Sequence, residues 1–222
     1  MYIPRSYSEE RPEELAAFIG AHPLGALVSS DGSGALFATH LPFLFDVAAG
    51  DHGVLTGHLA RANPHHRLPR GDAEALVIFS GPEAYITPNW YPGRWTHGRE
   101  VPTWNYIAVH AYGALRFIDD AEWLLPHLRR LTERSETTGV ASPEAAPWRV
   151  DDAPAEYIAQ MMKAIVGVEI RITRLEGKWK MSQNRTPETI AGVITGLSAS
   201  SKPMDREVAD IVAERASHAR ED

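Results

Sequence analysis

Apolar residues recur along most of the chain with a period of either two or about 3.6 residues, and the switches between the two periods mark out the elements. Pro12 opens a predicted helix to Ile19, with Leu15, Phe18 and Ile19 on one face. Leu24 to Ser29 reads as a strand, and Ser30-Asp31-Gly32-Ser33 as a turn. Ala35 to Phe45 resumes the extended pattern and completes a hairpin, with Pro42 implying a bulge or a sheet edge. A strand from Gly53 to Leu59 runs into Ala60-Arg61-Ala62-Asn63, read as the start of a short helix. Glu74 to Phe79 is apolar enough to be buried on both faces, and Ser80-Gly81-Pro82 is expected to turn it into a partner strand, Ala84 to Ile86.

Thr87 to Pro102 reads as a long loop rich in Pro, Gly and aromatics, a composition that favours a functional role. Thr103 to Ile118 alternates cleanly: Trp104, Tyr106, Ala108, His110 and Tyr112 face one way, and Asn105, Ile107, Val109 and Ala111 the other. Helices are predicted at Ala121–Glu136 and Pro154–Lys163, with a Pro- and Ala-rich linker over 137–152 between them. Val166 to Leu175 is a further strand, presenting Val168, Ile170 and Ile172 on one side. Pro187–Gly196 and Asp205–Arg215 complete the helices, the last with Val208, Ile211 and Val212 as its apolar stripe. About seven strands joined mostly as hairpins, with helices inserted, predict a β-rich α+β fold: a small antiparallel barrel with helical additions rather than a βαβ nucleotide fold. No glycine-rich phosphate loop follows any strand.

Composition narrows the function. The 222 residues contain no cysteine, which excludes disulfides, thiolate metal sites and cysteine nucleophiles. Met1 to Glu10 has no apolar core of a signal peptide, and no run of about 18 apolar residues is present, so a cytoplasmic protein without membrane spans is expected. The net charge of −7 argues against direct DNA binding by broad phosphate neutralisation. Charge is nonetheless local: Gly53 to Gly71 carries His58, Arg61, His65, His66, Arg67 and Arg70 and no acidic residue, and a second basic island holds Lys178, Lys180 and Arg185. Two confined basic islands on an acidic chain point to a small anionic ligand.

Thr39-His40-Leu41-Pro42 and Thr56-Gly57-His58 each bring a hydroxyl and an imidazole to a strand, and the second leads to Arg61 and Asn63, a plausible monoester-phosphate site. The bland reading makes the threonines strand formers and the histidines local hydrogen-bond partners. His58, His65 and His66, with His40 nearby, match no metal-ligand spacing. No Gly-x-Ser-x-Gly element marks a hydrolase.

The ordered blocks Tyr2-Ile3-Pro4, Thr39-His40-Leu41-Pro42 and Gly57-His58-Leu59-Ala60-Arg61-Ala62-Asn63-Pro64 carry a family likeness. So do Tyr85-Ile86 with Pro88 and Trp90-Tyr91, Val101-Pro102-Thr103-Trp104-Asn105-Tyr106, and Lys178 through Arg185. Together they resemble the PaiB-like FMN-binding negative transcriptional regulators, over about residues 1–197. The resemblance implies a split β-barrel related to pyridoxamine phosphate oxidases, comprising residues 1–197; the helical tail over 198–222 carries no family signal and is read either as an addition or as part of the same domain. The resemblance also implies a homodimer with FMN at the interface. Carried over, His40 and Leu41 border the flavin ring, His58, Arg61 and Asn63 lie near its phosphate, and Lys180, Gln183 and Asn184 approach from the C-terminal segment. Thr39, Thr56 and Trp104 are counted with them as cofactor-binding residues. Three functions follow as expectations: a negative transcriptional regulator or flavin-linked sensor; an FMN-dependent oxidoreductase acting on a small flat substrate, with Lys180 or Arg185 beside the flavin; or a heme-handling protein using His58, His65 or His66 as axial ligand.

Overall fold

The computed structural model describes residues 1–68, 74–138 and 146–218. Arg70 of the first basic island, residues 139–145 of the predicted linker and the last four residues of the tail lie outside that range. The strands are β1 (Ser8–Glu9), β2 (Leu24–Ser30), β3 (Leu36–Pro42), β4 (Leu44–Asp46), β5 (Val54–Ala60), β6 (Ala75–Ile86), β7 (Thr103–Ile118) and β8 (Ile165–Lys180). The helices are α1 (Pro12–Ala21), α2 (Pro92–Thr96), α3 (Ala121–Thr137), α4 (Ala155–Met162), α5 (Pro187–Ser198) and α6 (Pro203–His218). The eight strands form one antiparallel sheet in the order β3-β2-β6-β7-β8-β5-β4, with β1 paired to β8.

The chain divides into two compact units. The first comprises residues 1–18, 80–110 and 176–222, the second residues 19–79 and 111–175. In the second unit β3 and β4 are the two ends of the strand path, yet Phe43 alone separates them in sequence. They are linked by the chain and not by a ladder, which is how a barrel is split. The predicted single strand Ala35–Phe45 is thus two strands, and Pro42, which has no N–H to give a ladder, sits at the break. Leu27, Leu41, Phe43, Leu55, Val77, Phe79, Val168 and Ile170 fill this unit's core at 3% exposure or less. Each such side chain contributes about 1.5–3 kcal/mol of burial.

In the first unit Leu15 and Phe18 of α1 pack with Trp179, whose ring meets Phe18 edge-on at 5.2 Å. Val193 and Leu197 of α5 and Val208 and Val212 of α6 are buried, and these two helices pack against each other. Ile211 of the predicted α6 stripe is only partly buried, and Ala209 is buried instead. Glu9 of β1, 4% exposed, accepts from Arg11 at 2.7 Å and from Arg215 of α6 at 2.6 Å. Burial alone would raise its pKa, but the two guanidinium groups outweigh that and hold it at about 2. A two-residue strand has no periodicity, so β1 left no pattern to read.

The turn predicted at Ser80-Gly81-Pro82 does not occur; β6 runs through it as one strand. Burial instead changes phase there, from Ala75, Val77 and Phe79 to Pro82, Ala84 and Ile86. Gly81 permits this because the Phe18 ring stands 2.5 Å from where a Cβ would be. The alternation read in β7 holds, with Asn105, Ile107, Val109 and Ala111 buried. β8 continues to Lys180, five residues beyond the predicted end, and so carries part of the second basic island.

Candidate functional site

The predicted residues fall into two sets, one in each unit: Thr39, His40, Leu41, Thr56, His58, Arg61 and Asn63 in the second, Trp104, Lys180, Gln183 and Asn184 in the first.

In the second unit, alternation along β3 turns Leu36, Ala38 and His40 outward, while Leu41 is buried. Thr39 is turned to the 3-10 turn Pro64–Arg67, where its hydroxyl lies 2.9 Å from Nδ1 of His65 and accepts from Asn63 Nδ2 at 3.0 Å. His65 is fully buried, and its Nε2 lies 2.8 Å from Ser29 Oγ. The neutral imidazole satisfies both hydroxyls if Thr39 donates to Nδ1 and Nε2–H donates to Ser29. Asn63 caps the turn through its Oδ1, which accepts from His65 N at 3.0 Å. The expected helix at Ala60–Asn63 is therefore a turn leading into the 3-10 segment.

Arg61 is not free to meet an anion. Its guanidinium clasps Asp119 at 2.6 and 2.7 Å and also donates to the carbonyls of Lys163 and Ile165. Arg67, which the sequence placed only in a basic island, donates to the Arg61 carbonyl at 3.0 Å and to His66 Nε2 at 3.2 Å. His66 Nδ1 lies 2.7 Å from the Asn63 carbonyl. Thr56 and His58 share the face of β5 opposite Leu55 and Leu59. His58 Nδ1 there lies 3.3 Å from Nε2 of His127 on α3, whose ring stacks on Trp123 at 5.1 Å. Burial lowers both imidazole pKa values, and in His127 the neighbouring His58 and Arg130 add to the effect, taking it to about 4. The pair is neutral near pH 7. His127 left no sequence signal because its partner is 69 residues away. No group of three or more metal-ligating side chains occurs among the described residues.

In the first unit, Lys178 and Lys180 stand on the same face of β8. Lys180 donates to Thr103 Oγ1 at 2.6 Å and to the Trp104 carbonyl. Lys178, 8% exposed, donates to the Tyr2 carbonyl at 3.1 Å and lies 5.0 Å from the Tyr106 ring centre. Burial, then the charges of Lys178 and Arg185, lower the Lys180 pKa. Trp104 is half exposed and meets Tyr85 edge-on at 5.8 Å.

The turn after β8 is held by its own side chains. Gln183 accepts from Met181 N at 2.7 Å and donates to the Trp179 carbonyl at 2.5 Å. Ser182 adopts φ 64°, and its hydroxyl is paired with the buried Asn105 amide at 3.1 Å. Asn184 is exposed. Arg185 lies 5.3 Å from the centre of the Tyr91 ring and 3.6 Å from Glu100.

Three comparisons place this geometry. Residues 1–174 match the family model described as "Putative FMN-binding domain". The chain is 32% identical to protease synthase and sporulation protein PAI 2 of Bacillus subtilis, over 97% of this chain and 98% of that one. Among solved structures it is similar to the conserved hypothetical protein Rv2991 of Mycobacterium tuberculosis, with a TM-score of 0.55 at 16% identity, covering 84% of this chain and 94% of that one. It is also similar to an FAD and heme binding protein of Mycobacterium smegmatis, with a TM-score of 0.53 at 18% identity, covering 83% and 79%. The family match ends before Lys178, so the second basic island lies outside it. The chain belongs to the PaiB-like family of FMN-binding split-barrel proteins, and FMN is the cofactor that this membership assigns to it.

Proposed function

We propose that the chain is a flavin-linked sensor of the PaiB type, that its FMN is taken by the β3 and Arg61–Arg67 surface of the second unit, and that it influences transcription through a partner. The observation that carries this is a single pairing within the matched residues: an outward row of two apolar residues and an imidazole next to a basic turn. FMN needs a flat apolar support for its ring and cations for its phosphate. β3 is an end strand that pairs only with β2 and turns Leu36, Ala38 and His40 outward, with Leu36 76% exposed. Asp119 pairs with Arg61 and feels the His66 charge, while Arg67 donates to His66 and to the Arg61 carbonyl. The residues fit the cofactor, with Arg67 retaining donors and Arg61 able to turn to a phosphate only by releasing Asp119. When bound, FMN supplies one- and two-electron transfer. The protein's part is to hold the ring against β3 and to neutralise the phosphate. The same exposed β3 strip supports a homodimer.

The C-terminal helix supports indirect regulation. α6 presents Asp205, Glu207, Asp210 and Glu214, and its Arg215 is held by Glu9. Such a helix is repelled by a phosphate-lined groove. A heme reading gains no support, because His65 and His66 each have both ring nitrogens engaged and His58 is tied to His127.

The test is an absorption spectrum after equimolar FMN and gel filtration, alongside a gel shift with promoter DNA. The expected result is retained flavin bands, reduced in Arg67→Ala, with no salt-sensitive shift by the protein alone. A colourless protein overturns the flavin reading, and a salt-sensitive shift overturns indirect regulation. Rapid bleaching of the bound flavin by NAD(P)H favours the oxidoreductase over the sensor.

A further inference from the structure

The cations of the first unit remain without a task in that reading. Lys178 and Lys180 have no carboxylate in ion-pair range among the described residues, and the one carboxylate near Arg185, Glu100, is a loose 3.6 Å away. Lys178 and Arg185 are close enough to act on Lys180, and the three charges repel one another in a part-buried setting. Such an arrangement is costly alone and is relieved by an anion.

A second observation comes from Tyr91. It is fully buried, and its hydroxyl has no hydrogen-bond partner among the described residues. A buried hydroxyl left unpaired costs about 1–3 kcal/mol, so an unused donor on a ring that Arg185 approaches to 5.3 Å marks a missing acceptor. Burial raises the pKa of Tyr91 and of Tyr7, with Arg185 acting the other way on both, so both phenols stay protonated donors near neutral pH. At the rim, Trp104 and Tyr85 remain 51% and 48% exposed, an edge-to-face pair with apolar surface to spare.

We propose that this cluster binds a small aromatic carboxylate, its carboxylate held by Lys180, Arg185 and the Tyr91 hydroxyl, and its ring packed against Trp104 and Tyr85. Lys180 and Arg185 lie beyond the flavin-domain match and Tyr85, Tyr91 and Trp104 within it, and the site shares no residue with the β3 and Arg61–Arg67 surface of the flavin reading. Glu100, 3.6 Å from Arg185, leaves the three cations with a net positive charge that an anion can meet. A single acceptor pair is what one phenol and one ammonium can share.

Isothermal titration of the full chain with sodium benzoate, with acetate and inorganic phosphate as comparisons, tests this with and without FMN. Benzoate is expected to bind, with acetate weaker by about tenfold or more for want of a ring. Lys180→Met is expected to weaken benzoate by about tenfold or more, and Tyr91→Phe by about three- to tenfold. Tyr91→Phe removes only the unpaired hydroxyl, so its fold is preserved and its result decides the matter if Lys180→Met fails to fold. Absence of benzoate heat up to about 10 mM, binding unchanged in Tyr91→Phe, or phosphate binding tighter than benzoate overturns the proposal. Benzoate binding in a protein that does not retain FMN supports this site while overturning the flavin reading.

Discussion

His65 and Tyr91 are both fully buried polar rings, one in each unit, and the two units treat them in opposite ways. His65 has a hydroxyl at each ring nitrogen, and one of those hydroxyls has a further donor in Asn63. Tyr91 has an arginine near its ring face and nothing for its hydroxyl. The same contrast runs through the charges: Arg61 is closed by a carboxylate and two carbonyls, whereas Lys178 and Lys180 meet only neutral oxygens and ring faces. Where every buried polar group is satisfied, the residues are holding the fold together. Where they are not, the fold is carrying a cost that a ligand can remove.

The comparison breaks most visibly at His65. His65→Ala leaves a cavity and strands the Ser29 and Thr39 hydroxyls, and a loss of about 3–5 kcal/mol is expected in urea unfolding. A loss under about 1 kcal/mol would show that the network is not structural.

The next effect is pH-dependent. The folded state holds His127 near 4 against an ordinary 6.5, so the unfolded chain binds more protons between those values. Stability is therefore complete above about 6.5 and falls as pH drops through the window, by about 3 kcal/mol for this group; His58 shifts in the same direction. His127→Phe keeps the stack on Trp123 and is expected to flatten the fall between urea midpoints at pH 7 and pH 4.5. An unchanged slope would clear this pair of responsibility. Glu9 acts lower, its stabilisation fading only as pH falls from about 4.5 toward 2, so the two windows overlap only between about 4 and 4.5.

The smallest effect has the opposite sign. Tyr91→Phe in the ligand-free protein is expected to be neutral or stabilising by up to about 1 kcal/mol in thermal melts, because it deletes an unpaired hydroxyl. A clear destabilisation would mean that the hydroxyl already has a partner.

Periodicity made most of the fold legible: the faces of β7, the core side of β8 and the apolar faces of α1 and α6 follow from alternation and helical spacing. It failed where one residue changes the geometry. Pro42 and Phe43 break one strand into two, and Gly81 lets another run on through what resembles a turn. The candidate site was legible as chemistry but not as pairing. Asp119 closes Arg61 from 58 residues away and His127 meets His58 from 69, distances at which no local pattern operates. Thr39 was legible as a polar strand residue, yet its partner is His65 and not the adjacent His40. Gln183 reads as a ligand group in the sequence, and its hydrogen bonds to Met181 N and the Trp179 carbonyl, which clamp its own turn, left no sequence signal.

The division of labour between the units is tested most directly by one FMN titration followed through quenching of flavin fluorescence, on wild type, a double variant His40→Ala/Arg67→Ala and Lys180→Met. The account predicts that the double variant loses FMN affinity by at least about tenfold, while Lys180→Met stays within about threefold of wild type. The reverse order would contradict it, moving the flavin to the first unit and leaving the β3 surface without a ligand.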